Sequence, residues 1–413
     1  MPELSGVGML RLPAEIRFEP GAVRNAASTA RKFGSRVLII ADPVFTATEW
    51  LASCRAALTA AGAASELISD VAPELPADLV DQLGRAWRAF APEVILVFGG
   101  GSAIDLAKVL SIILVQDVEL ASLYGEHRVV PPTLPVVAVP TTAGTGSEVT
   151  PVAVVSDPHR ELKVGISSPL IIPRAALVDP ELTVGAPPSV TAYSGIDALV
   201  HAVEAYTARP AMAGAPGEPP VFVGRNDLGS LLALQAVEVI TRSLEVAVRD
   251  GGDLRARTDM AWGSLLAGMA FGTAGTHWSH ALQYPVGAAT HTPHGLGTGT
   301  LLPYVLDSCR PALTEEFIAL GRAMSVDDDG SGDAVIDRLS ALGAGIGLPP
   351  DLAAIGVRES ELAHFADLAL GVARLAGNGP LTATRERFIA ILNNAWRGDL
   401  QPASAPPHRT ENQ

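Results

Sequence analysis

At 413 residues the chain exceeds what one ordinary core can organise, so two domains are expected. Its 48% hydrophobic and 18% charged residues exclude wholesale disorder, and a formal net charge of -15 argues against a nucleic-acid partner, which needs clustered Lys and Arg. Two distant cysteines, Cys54 and Cys309, exclude a disulfide framework and point to a reducing compartment.

The N-terminal stretch "MPELSGVGMLRLPAEI" has neither a basic region nor an apolar core of a signal peptide, and no apolar run approaches about 18 residues, so a cytoplasmic location is expected. Further along, β-branched runs alternate with Ala- and Leu-rich stretches, the pattern of parallel strands joined by helical crossovers. "RVLII" (36–40) is the first clear strand, and Asp42 just after it is suited to accept hydrogen bonds from an adenosine ribose and to repel a 2′-phosphate, favouring NAD(H) over NADP(H). "VILVFGGGSAIDLAK" (94–108) runs from a strand through Gly99, Gly100, Gly101 and Ser102 into a helix expected near Ala103, a turn that lets backbone and helix dipole approach a phosphate. "PVVAVP" (135–140) leads into "VPTTAGTGSEVT" (139–150), a loop rich in hydroxyls that suits ribose and phosphate oxygens, and "AALVDP" (175–180) is the last clear strand. Two such loops at the carboxyl ends of parallel strands predict a dinucleotide crevice.

Beyond "GAPPSV" (185–190) the strands stop. The reading is an α/β dinucleotide-binding domain over 1–187, an all-helical domain over 188–400, and a disordered tail over 401–413. In "SGIDALVHAVEAY" (194–206), Asp197 and His201 share one helical face a turn apart and can grip one ion. Glu204, a turn further, is either a third ligand or a solvated carboxylate, the solvated role being expected. A Pro/Gly-rich excursion follows at 208–224, with its role open, and helical periodicity resumes over 228–248. "THWSHALQYPVGAATHTPHG" (276–295) then concentrates His277, His280, His291 and His294. One carboxylate with several imidazoles suits zinc, iron(II) or another divalent ion; intrinsic affinity favours zinc, and spacing does not choose among the four histidines. The acidic "DDDGSGD" (327–333) has its glycine in the fourth position rather than the sixth of a calcium loop and reads as solvated.

"GGGSAIDLAK", "PTTAGTGSEVT", "GIDALVHAVEAY" and "SHALQYPVGAATHTPHG", in that order, resemble the motifs of the iron-containing (group III) alcohol dehydrogenases over about residues 14 to 398. The resemblance implies an N-terminal α/β dinucleotide-binding domain, an all-α C-terminal domain, and a metal in the cleft between them, in a fold shared with dehydroquinate synthase. It assigns the metal, Fe(II) or zinc, to Asp197, His201, His280 and His294. It assigns nucleotide contacts to Asp42, Gly100, Gly101, Ser102, Asp105, Thr141, Thr142, Thr150, Lys163 and Leu182. The implied activity is NAD(H)-linked hydride transfer between an alcohol or hydroxy acid and an aldehyde or ketone; a homodimer or larger homo-oligomer is expected only from the general tendency of such chains to self-assemble. Two positions depart from the family: Tyr284 stands where many members have a histidine invoked in proton relay, and "PELP" (73–76) replaces an asparagine flanked by prolines. Tyr284 also resembles the hydroxyacid-oxoacid transhydrogenase branch, in which the nucleotide is retained. That branch, a non-redox enzyme of dehydroquinate synthase type and a nucleotide sensor are the alternatives.

Overall fold

The computed structural model describes residues 4–213 and 217–400. Aliphatic runs form β1 (Glu15–Phe18), β2 (Arg36–Ala41), β3 (Ala64–Ile68), β4 (Val94–Gly99), β5 (Gly125–Glu126), β6 (Val136–Pro140), β7 (Val152–Val155), β8 (Val164–Ser167) and β9 (Ala175–Val178). Six of these build one sheet in the order β1-β9-β6-β4-β2-β3, parallel throughout. Its faces are covered by α1 (Ala26–Arg31) and α2 (Glu49–Ala60) on one side, and by α3 (Ala77–Trp87) and α4 (Gly101–Ile113) on the other. Val37 and Ile39 point to the first pair of helices, Leu38 and Ile40 to the second. Burial on both faces is why these strands read as continuous apolar runs rather than alternating ones.

From β2 the chain moves outward to β3, then crosses back to β4 and continues through β6 and β9 in the opposite direction. The reversal falls between β2 and β4, so their carboxyl ends open a crevice. Paired registers bring Ala41 beside Phe98 and Gly99 beside Pro140, which gathers the segments after β2, β4 and β6 along one edge. A second sheet, β5-β8-β7, was not anticipated, because its strands are only two to four residues long.

The second half is helical: α5 (Pro188–Thr207), α6 (Asp227–Arg249), α7 (Leu254–Ala274), α8 (Trp278–Thr290) and α9 (His294–Cys309), then shorter helices ending at Arg397. Asn226 and Asp253 accept the N–H groups of Gly229 and Ala256 and so start α6 and α7. The central helix α5 packs on α6, α7 and α9.

Several local expectations shift. Helix α4 begins at Gly101, ahead of Ala103, because Gly100 already accepts the N–H of Ile104. The acidic loop is not merely solvated: the Asp328 carboxylate accepts the N–H groups of Gly330, Gly332 and Val335 and shapes the turn into the helix Asp333–Gly345. The tail expected over 401–413 lies outside the described residues. Cys54 and Cys309 are buried and free, and among the described residues no helix is long and apolar enough to cross a membrane.

At the crossing of α5 and α9, a Cβ on Gly295 would collide with the Tyr193 carbonyl and come within 2.9 Å of Asp197 Cβ. Only glycine permits that approach. Gly295→Ala is expected to destabilise the protein by about 1–3 kcal/mol through overpacking, read as a lowered midpoint in urea unfolding.

Candidate metal centre and nucleotide cleft

Asp197, His201 and Glu204 follow one another at helical spacing on a single face of α5, and all three are buried. His280 lies in the first turn of α8, and His294 opens α9. Tertiary packing brings them together: Asp197 Oδ1 is 3.9 Å from His280 Nε2 and 3.8 Å from His294 Nε2, while Asp197 Oδ2 is 3.8 Å from His201 Nε2. Donors bonded at about 2.1 Å to one tetrahedral ion lie about 3.4 Å apart, so these separations match a shared ion better than direct hydrogen bonds. Donor atoms of Asp197, His280 and His294 all lie within 4.8 Å of one another. His201 adjoins this trio, its ring stacked on that of His280 with centroids 4.8 Å apart.

The donor set fits a metal on a further observation. His280 Nε2 is buried with no hydrogen-bond partner, a cost that a ligand would remove. Its other nitrogen, Nδ1, lies 2.6 Å from Glu204 Oε2. An ionised carboxylate only accepts, so Nδ1 carries the proton and Nε2 offers its lone pair toward Asp197. Likewise His294 Nδ1 donates to Gln283 Oε1 at 2.7 Å, and Thr298 donates to Asp197 Oδ1 at 3.0 Å. Burial pushes His201 down to about 4 and His294 down to about 3, so both are neutral at pH 7 and available as ligands. Burial works to raise the Asp197 carboxyl, but the imidazoles of His201, His294 and His280 outweigh it and hold it below the usual carboxylate range.

Glu204 corrects the sequence reading. Rather than being solvated, it is fully buried and accepts the N–H groups of His277 at 2.8 Å and Ser279 at 2.6 Å in addition to His280 Nδ1. A carboxylate from α5 therefore caps the N-terminus of α8 and orients the histidine one step further on. Desolvation opposes its charge, yet His277 and His280 hold it well below the ordinary range. His277 faces away, its Nε2 paired with the Thr207 hydroxyl at 2.9 Å, and His291 is exposed at the carboxyl end of α8.

A cleft of about 530 Å³ joins this centre to the parallel sheet. Gly101, Ser102, Asp105, Thr150 and Lys163 line it, as do the histidines 201, 280, 291 and 294 and Tyr284. Asp42, Gly100, Thr141, Thr142 and Leu182 do not line it; they follow β2, β4, β6 and β9 at the same carboxyl edge of the sheet. Asp42 accepts the Gly100 N–H at 3.2 Å, and burial raises its carboxyl. No side chain caps α4, which leaves the N–H groups of its first turn for an anion. A Cβ on Gly101 would come within 2.7 Å of the Thr145 side chain, so this glycine also lets the two loops close on each other.

Lys108, overlooked in the sequence, organises the hydroxyl-rich loop. It is wholly buried, and its Nζ donates to Ser147 Oγ at 2.8 Å, Thr150 Oγ1 at 3.2 Å and the Val152 carbonyl at 2.8 Å. The Ser147 hydroxyl donates in turn to Asp105 Oδ1 at 2.6 Å, and Asp105 Oδ2 accepts the Val154 N–H at 2.9 Å. Asp105 and Thr150, assigned above to the nucleotide, are thus already engaged in holding the loop. The available signal was a lysine three residues after Asp105 in an otherwise apolar helix. Lys163 pairs with Glu74 at 2.7 Å at the cleft wall, where "PELP" contributes Pro73 and Glu74. Tyr284 lies one helical turn beyond His280, its ring centroid 6.3 Å from that of His294. Burial raises its phenol against the pull of the neighbouring Arg374 guanidinium.

Comparison with known proteins agrees with this geometry. Residues 13–180 match the iron-containing alcohol dehydrogenase family, and residues 191–396 match the C-terminal part of the Fe-containing alcohol dehydrogenase family. The chain belongs to the iron-containing alcohol dehydrogenases. It is 34% identical over 411 residues to long-chain-alcohol dehydrogenase 1 of Geobacillus thermodenitrificans, covering 96% of this chain and 99% of that one. A crystal structure of 1,3-propanediol oxidoreductase superposes with a TM-score of 0.86 at 29% identity, over 94% of this chain and 99% of the other. That of sulfoacetaldehyde reductase from Bifidobacterium kashiwanohense in complex with NAD+ superposes at 0.82 and 27%, over 94% and 99%. This iron-containing alcohol dehydrogenase is therefore a metal-dependent, NAD(H)-linked oxidoreductase, with Asp197, His280 and His294 as candidate metal-binding residues.

Two outcomes follow from the buried carboxylates. Glu204→Gln should keep the volume but weaken orientation of His280, lowering metal affinity about 10- to 100-fold in a chelator-competition titration. Burial pushes the Glu148 carboxyl up to about 7 from 4.5. The folded state then holds a proton that the unfolded chain releases, so this group's contribution to stability is present below 4.5 and lost as pH rises through about 7. In Glu148→Gln the thermal midpoint should lose that decline, which a pH series of melting curves reads directly.

Proposed function

We propose that the chain interconverts a small alcohol or hydroxy acid and the corresponding aldehyde or ketone, with Asp197, His201, His280 and His294 as the metal ligands. What carries this reading is the placement of Asp197 Oδ1 within 3.8–3.9 Å of two imidazole Nε2 atoms, on the same cleft as the uncapped N-terminus of α4. When bound, the metal supplies Lewis acidity that lowers the pKa of a substrate hydroxyl or polarises a carbonyl, and the nicotinamide nucleotide supplies the hydride couple.

The protein's own groups do the rest. Gly100, Gly101 and Ser102 offer backbone to the pyrophosphate, with Asp105, Thr141, Thr142, Thr150, Lys163 and Leu182 around the nucleotide. Asp42 at the end of β2 favours NAD(H), since its half-buried carboxylate would repel the 2′-phosphate of NADP(H). Glu204 and Gln283 keep the ligand nitrogens unprotonated, and the buried Phe271 ring, stacked on His201, lends the cleft an apolar wall. Tyr284 retains its proton at neutral pH, because burial raises its phenol, and is suited to donate a hydrogen bond to substrate oxygen rather than to act as a base. Iron(II) is the physiological metal in this reading, with zinc able to occupy the same ligands. The expected setting is the cytoplasm and the expected assembly a homodimer or larger homo-oligomer, with neither nucleic acid nor membrane as a partner.

Asp197→Ala and His280→Ala should each strip the metal in elemental analysis and lower kcat/KM for alcohol oxidation by about 10³-fold or more. Retention of both metal and turnover by either variant would overturn the assignment.

A further inference from the structure

Tyr284 lines the cleft, and a phenol hydroxyl can turn either its proton or a lone pair toward a ligand. A carbonyl oxygen carries only lone pairs, so it is served by Tyr284 only when the proton points into the cleft. One neighbour settles the direction. Arg374, on the short helix Ala373–Ala376, also lines the cleft, is half-buried, and hydrogen-bonds the Tyr284 hydroxyl. A guanidinium has N–H donors and no acceptor, so in this contact the phenol oxygen accepts and its own proton is left to point elsewhere. Arg374 thus stands to Tyr284 as Glu204 does to His280, with donor and acceptor exchanged.

Arg374 is held for this contact from two sides. Its Cζ sits 4.6 Å from the centroid of the Phe222 ring, a cation–π contact that orients the fork. Phe222 is buried and belongs to the Pro/Gly-rich excursion whose purpose the sequence left open. That excursion is tied down around the ring: the Arg11 guanidinium donates to the carbonyls of Pro220 and Val221, the Val221 N–H donates to Glu126, and the Val223 N–H donates to the Thr273 carbonyl. From the other side, Trp278 at the start of α8 donates its Nε1–H to the Ala376 carbonyl at 3.0 Å, and Asn378 donates to the carbonyls of Ala274 and Thr276. The segment carrying Arg374 is therefore fastened to the helix that carries Tyr284. Among the described residues no carboxylate pairs with Arg374, so no stronger acceptor draws the guanidinium away from the phenol.

We propose that Arg374 is a positioning residue for the reaction: by donating to the Tyr284 oxygen it turns the phenol O–H toward the oxygen of a bound carbonyl. The proposal rests on the dehydrogenase reading and adds to it what orients Tyr284 and, through Phe222, what the excursion is for. Arg374 acts at the reacting end of the substrate, because the Tyr284 ring lies 6.3 Å from that of His294 and one helical turn from His280. Tyr284 keeps its proton throughout, and Arg374 influences the reacting oxygen only through it.

The test is a double-mutant cycle on metal-loaded protein, with R374M, Y284F and the two combined, alongside R374K and F222L. Each protein is read for kcat/KM in butanal reduction and, by calorimetry at saturating NADH, for affinity toward isobutyramide, an unreactive amide whose carbonyl accepts a hydrogen bond. R374M and Y284F should each weaken both quantities about 3- to 10-fold, and adding R374M to Y284F should change neither by more than about twofold. R374K keeps a donor and the charge and should recover part of the loss, which separates it from misfolding. F222L should show a smaller loss that the Y284F background abolishes, and NADH affinity should be the same throughout. An R374M loss undiminished on the Y284F background, amide affinity unchanged in R374M, an amide that the wild type does not bind, or NADH affinity lost with R374M would each overturn the proposal. If the wild type turns over neither butanal nor 1-butanol while the amide cycle remains non-additive, the dehydrogenase reading fails and the positioning role stands.

Discussion

The arrangement depends on one buried carboxylate. Glu204 sits at the end of α5, wholly removed from water, and such a group persists as an anion only when the protein returns the hydrogen bonds that water gave. It receives three, from two backbone N–H groups at the start of α8 and from the His280 ring. The same contacts lock the position of α8 relative to α5, fix the His280 tautomer and direct its free nitrogen toward Asp197. Helix docking and ligand preparation are therefore one physical event, and the glycine at the α5–α9 crossing completes it by letting His294 approach from the third helix.

A parallel logic holds the other wall of the cleft. Lys108 is a cation enclosed by α4 and the hydroxyl-rich loop, and burial lowers it to about 8 while Asp105 and Glu148 pull it back up. Its three donated hydrogen bonds stiffen the loop that follows β6, in the way Glu204 stiffens α8. Each half of the molecule thus uses one buried charge to prepare its side of the cleft.

Much of the fold was legible because its signals are local. Two-faced burial made β2, β4, β6 and β9 into unbroken aliphatic runs, and glycines at 99–101 marked the turn into α4. The histidine-dense stretch from 276 to 295 marked a metal centre without saying which rings meet the aspartate, since His277 and His280 differ only in which way each faces once α8 has docked. The short strands of the second sheet, Gln283 as a partner for His294 and Thr298 as a partner for Asp197 carried no comparable signal. Those contacts join residues whose side chains have no periodic reason to be polar.

Residue order and composition by themselves determined the two-part architecture, the crevice at the sheet's carboxyl edge and the chemistry of an aspartate among imidazoles, because periodicity and turn chemistry depend on near neighbours along the chain. The tertiary structure alone decided that Glu204 is an anchor rather than a solvated acid, that Lys108 holds a loop, and that Phe222 from a Pro/Gly excursion aims Arg374 into the cleft. In each case a partner 39 to 152 positions away sets the direction of a group that sequence shows only as acidic or basic.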